Sequence, residues 1–258
     1  MKCPFCLADG KLSKEHLFSR PICDAFGIDR STLVASVDGM SGDVNRIGRL
    51  HERSVRLPCE TCNSGWMSRL EQDTSRTLKR WMSHPDETLT RSGLGYVTRW
   101  LAKTAIVLAF GEVDARRFLS TPTETAVPDI TTARAVAEES SLDHVYVGAA
   151  RTDNPGFLWG TGNSTVLPTG PDRISSRAIN VAAITLHFLQ LWIVMPIIRP
   201  DQIRLPKGVI RLHGELRSGE LRTRDGNLDP TQVRATYSDE TTMNFFQGLA
   251  LAQERAGA

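Results

Sequence analysis

Four of the five cysteines in this 258-residue chain fall into two Cys-x-x-Cys pairs, Cys3-Pro4-Phe5-Cys6 and Cys59-Glu60-Thr61-Cys62. A tight turn that closes on two thiolates supplies half of a tetrahedral Zn2+ shell, and two such turns complete a closed structural site. Cys6 and Cys59 are 53 positions apart, more than in a compact zinc ribbon, so something folded must lie inside the loop they close. Where thiols stay reduced, paired cysteines read as metal ligands rather than disulfides. A redox pair would follow a strand in a βαβ context, and nothing near Met1 offers one. Cys3, Cys6, Cys59 and Cys62 are therefore expected to hold a structural Zn2+ on which folding of the N-terminal region depends. Cys23 reads as a small buried hydrophobe.

Between the two pairs lies Glu15-His16, and Asn63 directly follows Cys62. Histidine is the side chain whose ordinary pKa suits a general base near neutrality. A carboxylate with one or two neutral ligands leaves Mg2+ or Mn2+ mostly hydrated and open to a phosphate oxygen. Base and cation together are what phosphodiester hydrolysis requires. Plainer roles compete: Glu15-His16 as a surface pair, and Asn63 as the side-chain cap of the helix that follows.

The order Cys-x-x-Cys, acidic residue-His, Cys-x-x-Cys-Asn at the start of a helix resembles the HNH endonucleases over roughly residues 1–82. The resemblance implies a ββα-metal (treble-clef) fold stapled by a four-Cys zinc. It implies His16 as the general base, Glu15 as a ligand of a catalytic Mg2+ or Mn2+, and Asn63 as a second ligand or as the residue that holds the His-bearing loop. The family's last motif position, commonly His, falls about eight residues after the Asn, and here Glu71 stands there. Glu71 either replaces imidazole as a ligand to a hard cation or is an exposed helical glutamate.

These residues need elements to position them. Residues 1–8 read as a zinc knuckle, and 13–18 as a short strand or turn that delivers His16 beside it. One helical turn is expected at 22–28, a strand at 31–37 with a turn at Asp38-Gly39, and a returning strand at 49–57. From Ser64 the spacing of Trp66, Leu70, Leu78, Trp81 and Met82 predicts one helical stripe, stopped by His84-Pro85. On this helix Arg69, Arg76, Lys79 and Arg80 are either a solvated face or contacts to nucleic-acid phosphates. A second helix is predicted over 94–110, with Val97, Trp100, Leu101, Thr104, Ala105 and Leu108 inward and Gly111 as its cap.

The overall class is α+β: a treble-clef zinc domain over 1–84, a boundary within 83–90, and an α+β domain of unknown type over 90–258. In the second part a helix is expected at 131–139 and strands at 144–150, 156–159, 178–185, 187–195 and 209–212. A last helix is expected at 243–252. His144 and His187 read as core or edge residues of strands, His51 as surface, and His213 as part of a turn. Gly160-Thr161-Gly162-Asn163 is turn chemistry rather than a phosphate loop.

Formal net charge is only +2, from 31 basic and 29 acidic residues, so any nucleic-acid footprint must be local rather than a whole-molecule field. Residues 182–198 are interrupted by Thr185, His187, Gln190 and Pro196, which excludes a membrane span of about 20 apolar residues. With no apolar leader after Met1, a cytoplasmic protein is expected. The expected activity is metal-dependent endonucleolytic cleavage of DNA, most readily double-stranded. A non-catalytic zinc module that binds nucleic acid or protein, and an RNA-directed nuclease, are the alternatives.

Overall fold

Two strands far apart in sequence tie the Cys-x-x-Cys turns together. The computed structural model describes residues 2–37, 44–112, 130–139, 142, 145–166, 177–195, 203–225, 228, 234 and 235. The first turn is closed by the Leu7 N–H on the Cys3 carbonyl (2.8 Å) and the Cys3 N–H on the Ala8 carbonyl (3.0 Å). The chain continues through β1 (Leu12–His16), α1 (Arg20–Ala25), β2 (Leu33–Val37), β3 (Val44–Arg49), a 3-10 turn at Leu50–Glu52 and β4 (Ser54–Cys59). β1 pairs antiparallel with β4, Leu12 opposite Cys59 and His16 opposite Ser54. β2 and β3 form a ribbon of their own. The returning strand expected over 49–57 is realised as β4, which pairs with β1, while the partner of β2 is β3, which ends at Arg49. The turn between β3 and β4 is anchored by Leu50, whose side chain is buried. The expected turn at Asp38-Gly39 lies outside the described residues.

β4 runs directly into helix: one turn at Glu60–Cys62 (α2), a wider π-type stretch at Asn63–Met67, then α3 (Ser68–Ser83). Gly65 departs from helical geometry (φ −89°, ψ −109°) and marks the kink, as expected of the residue with the least to gain from a regular helix. α3 buries Leu70, Leu78 and Trp81, as its spacing predicts, together with Glu71, Thr74 and Ser75. It stops where His84 turns extended, because Pro85 disfavours helical geometry in the residue before it.

α4 (Arg91–Glu112) runs past Gly111, the residue expected to cap it. From Trp100 to Leu108 every one of its side chains is buried, the pattern of a core helix rather than a surface one. α5 (Ile130–Ala137) lies alongside, where the Arg99 guanidinium donates to the Val136 carbonyl (2.7 Å).

Beyond it, β5 (Tyr146–Val166) and β6 (Arg177–Met195) form one long antiparallel pair, in place of the four separate strands expected here. Asn154-Pro155-Gly156 reads as a turn, but the chain makes only a bulge there: residues 152–155 step out of the ladder between Arg151 opposite Leu189 and Gly156 opposite His187. A bulge accepts a proline that a regular ladder would not. Opposite it, β6 passes through His187 in a left-handed conformation (φ 58°) without breaking. Short strands β7 (Ile203–Arg204), β8 (Ile210–Arg211), β9 (Thr223–Arg224) and β10 (Arg234–Ala235) complete the fold. β8 and β9 pair with β5, and β10 with β7. The expected helix at 243–252 lies outside the described residues.

The architecture is a mixture of helices and sheets, as expected. The boundary placed within residues 83–90 is a turn between two helices, but one buried core runs through it, from Cys3 and Phe18 to Val97, Leu186 and Leu216. Trp81 Nε1 donates to the Leu216 carbonyl (3.1 Å), and Phe18 meets Phe157 edge-on and Trp159 at a tilt, with ring centroids 4.6 and 5.4 Å away. Among the described residues no helix is long and apolar enough to cross a membrane.

Candidate metal centre and its surroundings

The β1–β4 pairing draws both Cys-x-x-Cys turns to one point. The sulfur atoms of Cys3, Cys6, Cys59 and Cys62 all lie within 4.8 Å of one another, and Cys6 Sγ is 3.6 Å from Cys59 Sγ. Four thiolates at about 2.3 Å from a tetrahedral ion would sit about 3.8 Å apart, so the set could hold a metal ion such as zinc. Burial raises the Cys3 and Cys62 thiols above their ordinary range. Burial acts on Cys59 as well, but hydrogen bonds from the Cys62 backbone and the neighbouring thiols outweigh it and lower that group. A bound cation has to displace protons from the two buried thiols, which couples its affinity to pH. Phe5, fully buried, meets Trp66 edge-on at 5.6 Å and joins the knuckle to the helix.

Asn63 does not use its side chain to cap the helix. Its Nδ2 donates instead to the Lys14 carbonyl (2.8 Å) and to Ser13 Oγ (3.0 Å). Ser13 Oγ in turn donates to the Pro58 carbonyl (3.1 Å). The start of the helix therefore grips β1 two residues before His16.

Strand geometry then divides the Glu-His dipeptide. Successive side chains on a strand point to opposite faces, and here Glu15 is buried while His16 is exposed. On its inner face Glu15 Oε1 accepts a hydrogen bond from Lys103 Nζ (2.8 Å), and Glu71 Oε1 accepts another from the same nitrogen (2.6 Å). Lys103 projects from α4 and is 1% exposed. Burial alone would lower its pKa, but the charges of Glu15 and Glu71 and their hydrogen bonds outweigh burial and hold it above the ordinary lysine range. Glu15 and Glu71 thus do converge, as a shared ligand role requires, but on a lysine. His16 does not join them. Among the described residues the cysteine set is the sole group of three or more His, Cys, Asp and Glu side chains with metal-holding geometry. Glu15, Asn63 and Glu71 do not fit a catalytic Mg2+ or Mn2+: the convergence point of the carboxylates is taken, and the asparagine amide faces a carbonyl.

Lys103 was not singled out in the sequence, although a signal was there. It stands between Trp100-Leu101-Ala102 and Ala105-Ile106-Val107-Leu108, and no acidic residue between Arg91 and Phe110 can pair with it along the helix. A lysine so placed requires buried carboxylates.

On α3 the charged residues segregate. At about 100° per residue, Arg69, Arg76 and Arg80 share one stripe and Lys79 lies beside it, while Glu71 points to the opposite, buried side. All four basic residues are exposed. Arg76 pairs with Asp73 and Arg80 with Glu87, whereas Arg69 and Lys79 make no ion pair among the described residues. Of the other histidines, His51 is half-buried with Nδ1 3.0 Å from the Arg30 carbonyl rather than free on the surface. His187 is exposed at the bend in β6, not in the core. His213 is exposed, and His144 lies outside the described residues. Comparison of the chain with protein-family models, with characterised proteins and with solved structures finds no match.

Proposed function

We propose that residues 1–84 form a zinc-stapled treble-clef module of the HNH type that binds nucleic acid, most readily double-stranded DNA, without hydrolysing it. Zinc at the four cysteines fixes the knuckle, the β1–β4 pair and the start of the helix as one frame. α3 presents Arg69, Arg76, Lys79 and Arg80 outward to phosphates. One observation carries the reading: both carboxylates of the motif turn inward onto Lys103, away from the basic stripe that would receive a substrate backbone. A carboxylate so placed cannot share a cation with an incoming phosphate.

The test combines fluorescence anisotropy on labelled duplex DNA and RNA across a KCl series with plasmid and RNA incubations in Mg2+ or Mn2+. Binding that weakens steeply with salt, together with no scission by wild type, is the expected outcome. Cleavage that disappears in His16→Ala or Glu15→Gln, or binding that does not respond to salt, would overturn it.

A second reading is supported by a different observation. Asn63 holds the Lys14 carbonyl, one of the two roles that the HNH resemblance implies for it, and His16 stands exposed just beyond it. On this reading the protein is an endonuclease with His16 as general base. The scission arm of the same experiment decides between the two, and the RNA incubation decides between the polymers.

A further inference from the structure

Three elements that are distant in sequence meet at one buried nitrogen. β1 brings Glu15, α3 brings Glu71 and α4 brings Lys103, and their side chains are 6%, 10% and 1% exposed. One oxygen of each carboxylate lies within hydrogen-bond distance of the same ammonium. Two carboxylates aimed at a common point form the start of a hard-cation site. Buried and unneutralised, they would strongly disfavour the fold.

We propose that Lys103 stands where a divalent cation would otherwise sit between Glu15 and Glu71, so that the protein carries its own cation at the centre of the nuclease-like frame. This rests on the treble-clef reading of residues 1–84. The ammonium performs the structural half of a metal's work. It neutralises charge and ties strand, helix and helix together through the two hydrogen bonds it donates to the carboxylates. It cannot perform the catalytic half. An ammonium offers no exchangeable ligand position for water or phosphate, and at 1% exposure Lys103 meets neither. A mostly hydrated Mg2+ demands room for several waters, and the α4 side chains that flank Lys103 are buried against the core. Removing the ammonium while leaving a space should turn the pair of carboxylates into a Mn2+ site. Filling that space with an uncharged chain of similar length should not.

The experiment is a Mn2+ titration of the full, zinc-loaded chain, read from the room-temperature EPR signal of free Mn2+ and from thermal melts. Wild type is expected to take up no stoichiometric Mn2+, and its melting temperature should not move with the ion. Lys103→Ala is expected to bind one Mn2+ with a Kd at least about tenfold below any wild-type value, worth about 1.4 kcal/mol, and to be stabilised by the ion or to fold only in its presence. Lys103→Met and the double variant Lys103→Ala/Glu71→Gln should lose that uptake. Stoichiometric binding by wild type that Glu71→Gln abolishes would overturn the proposal. So would a Lys103→Ala protein that takes up no Mn2+, whether it folds without the ion or fails to fold with it. A wild type that neither binds nucleic acid nor Mn2+, beside a Lys103→Ala variant that gains the ion, would leave this inference standing and remove the binding function proposed above.

Discussion

Stripping the zinc proposed at Cys3, Cys6, Cys59 and Cys62 should unfold far more than the cysteine turns. Structural zinc sites contribute an apparent binding free energy of about 10–16 kcal/mol, as large as the ~5–15 kcal/mol that a whole domain has in hand. The knuckle–strand–helix frame should therefore not survive loss of the ion. The fate of the rest of the chain depends on the interactions that this frame lends it. Phe18 is buried against Phe157 and Trp159, worth about 2–3 kcal/mol for a side chain of that size. Loss of Glu15 and Glu71 leaves Lys103 buried and unpaired, a cost of roughly 3–5 kcal/mol. The bond from Trp81 to the Leu216 carbonyl goes too, for about 1 kcal/mol. The total is comparable to the stability of a domain, so the remainder should fall with it. The assay is hydrogen exchange read by mass spectrometry on the zinc-loaded protein, before and after chelation, with Cys62→Ser as a second route to the metal-free state. Amides of β6 between Ala182 and Met195 should lose protection together with those of β1 and β4. If β6 keeps its protection while β1 exchanges freely, or if heating gives two separate transitions, the coupling through Phe18 and Lys103 is not what holds the two parts together. Unchanged stability after complete chelation would refute the zinc site itself.

Other substitutions probe single links. Asn63→Ala removes two hydrogen bonds to β1; with the Lys14 carbonyl able to take a water in exchange, it should cost about 1–2 kcal/mol in urea denaturation. Replacing Arg69 and Lys79 together by Ala should leave stability within about 0.5 kcal/mol and shallow the salt dependence of DNA binding by about 0.9 for each phosphate no longer neutralised. Burial pushes the Cys23 thiol up to about 11, so a thiol reagent should not modify it in the folded protein near pH 8. Because its folded value lies above the unfolded value of about 8.5, the stability it contributes is complete below that pH and fades as pH climbs towards 11. Cys23→Ala should flatten this alkaline decline in urea melts between pH 8 and 10. Lys103, held charged above its ordinary value, keeps its contribution across the same window and does not obscure the effect.

How much of this could be read from residue order depended on the range of the interactions involved. Spacing was enough for the inward stripe of α3 at Leu70, Leu78 and Trp81 and for the buried face of α4, because helical periodicity is a local property. The convergence of the four cysteines was legible because ligand chemistry itself demands it. Strand partners were not. Residues 49–57 alternate weakly like the strand that returns from β2, and only the observed pairing shows that β2 is met by β3 over 44–49 while 54–59 pairs with β1. Asn154-Pro155-Gly156 has the composition of a turn, and only the resumption of the β5–β6 pairing at Gly156 opposite His187 makes it an irregularity within one strand.

The placement of the motif residues follows from a constraint of the same kind, with a sharper consequence. Glu15 and His16 are neighbours in sequence, and a motif treats neighbours as partners. On a regular strand they are the two residues least able to act on one point, since each step turns the side chain by half a revolution. They share a site only if the strand ends or twists between them, and here β1 continues to His16, pinned by its pairing with Ser54 and by Asn63 on Lys14. Glu15 is thereby committed to the interior, where a carboxylate must find a cation. Lys103, 88 positions away, supplies it, and the same nitrogen draws in Glu71. The bonds that make the frame rigid are thus the ones that take the carboxylates out of reach of a substrate. Freeing Glu15 for catalysis would require breaking the interactions that hold α3 and α4 against β1.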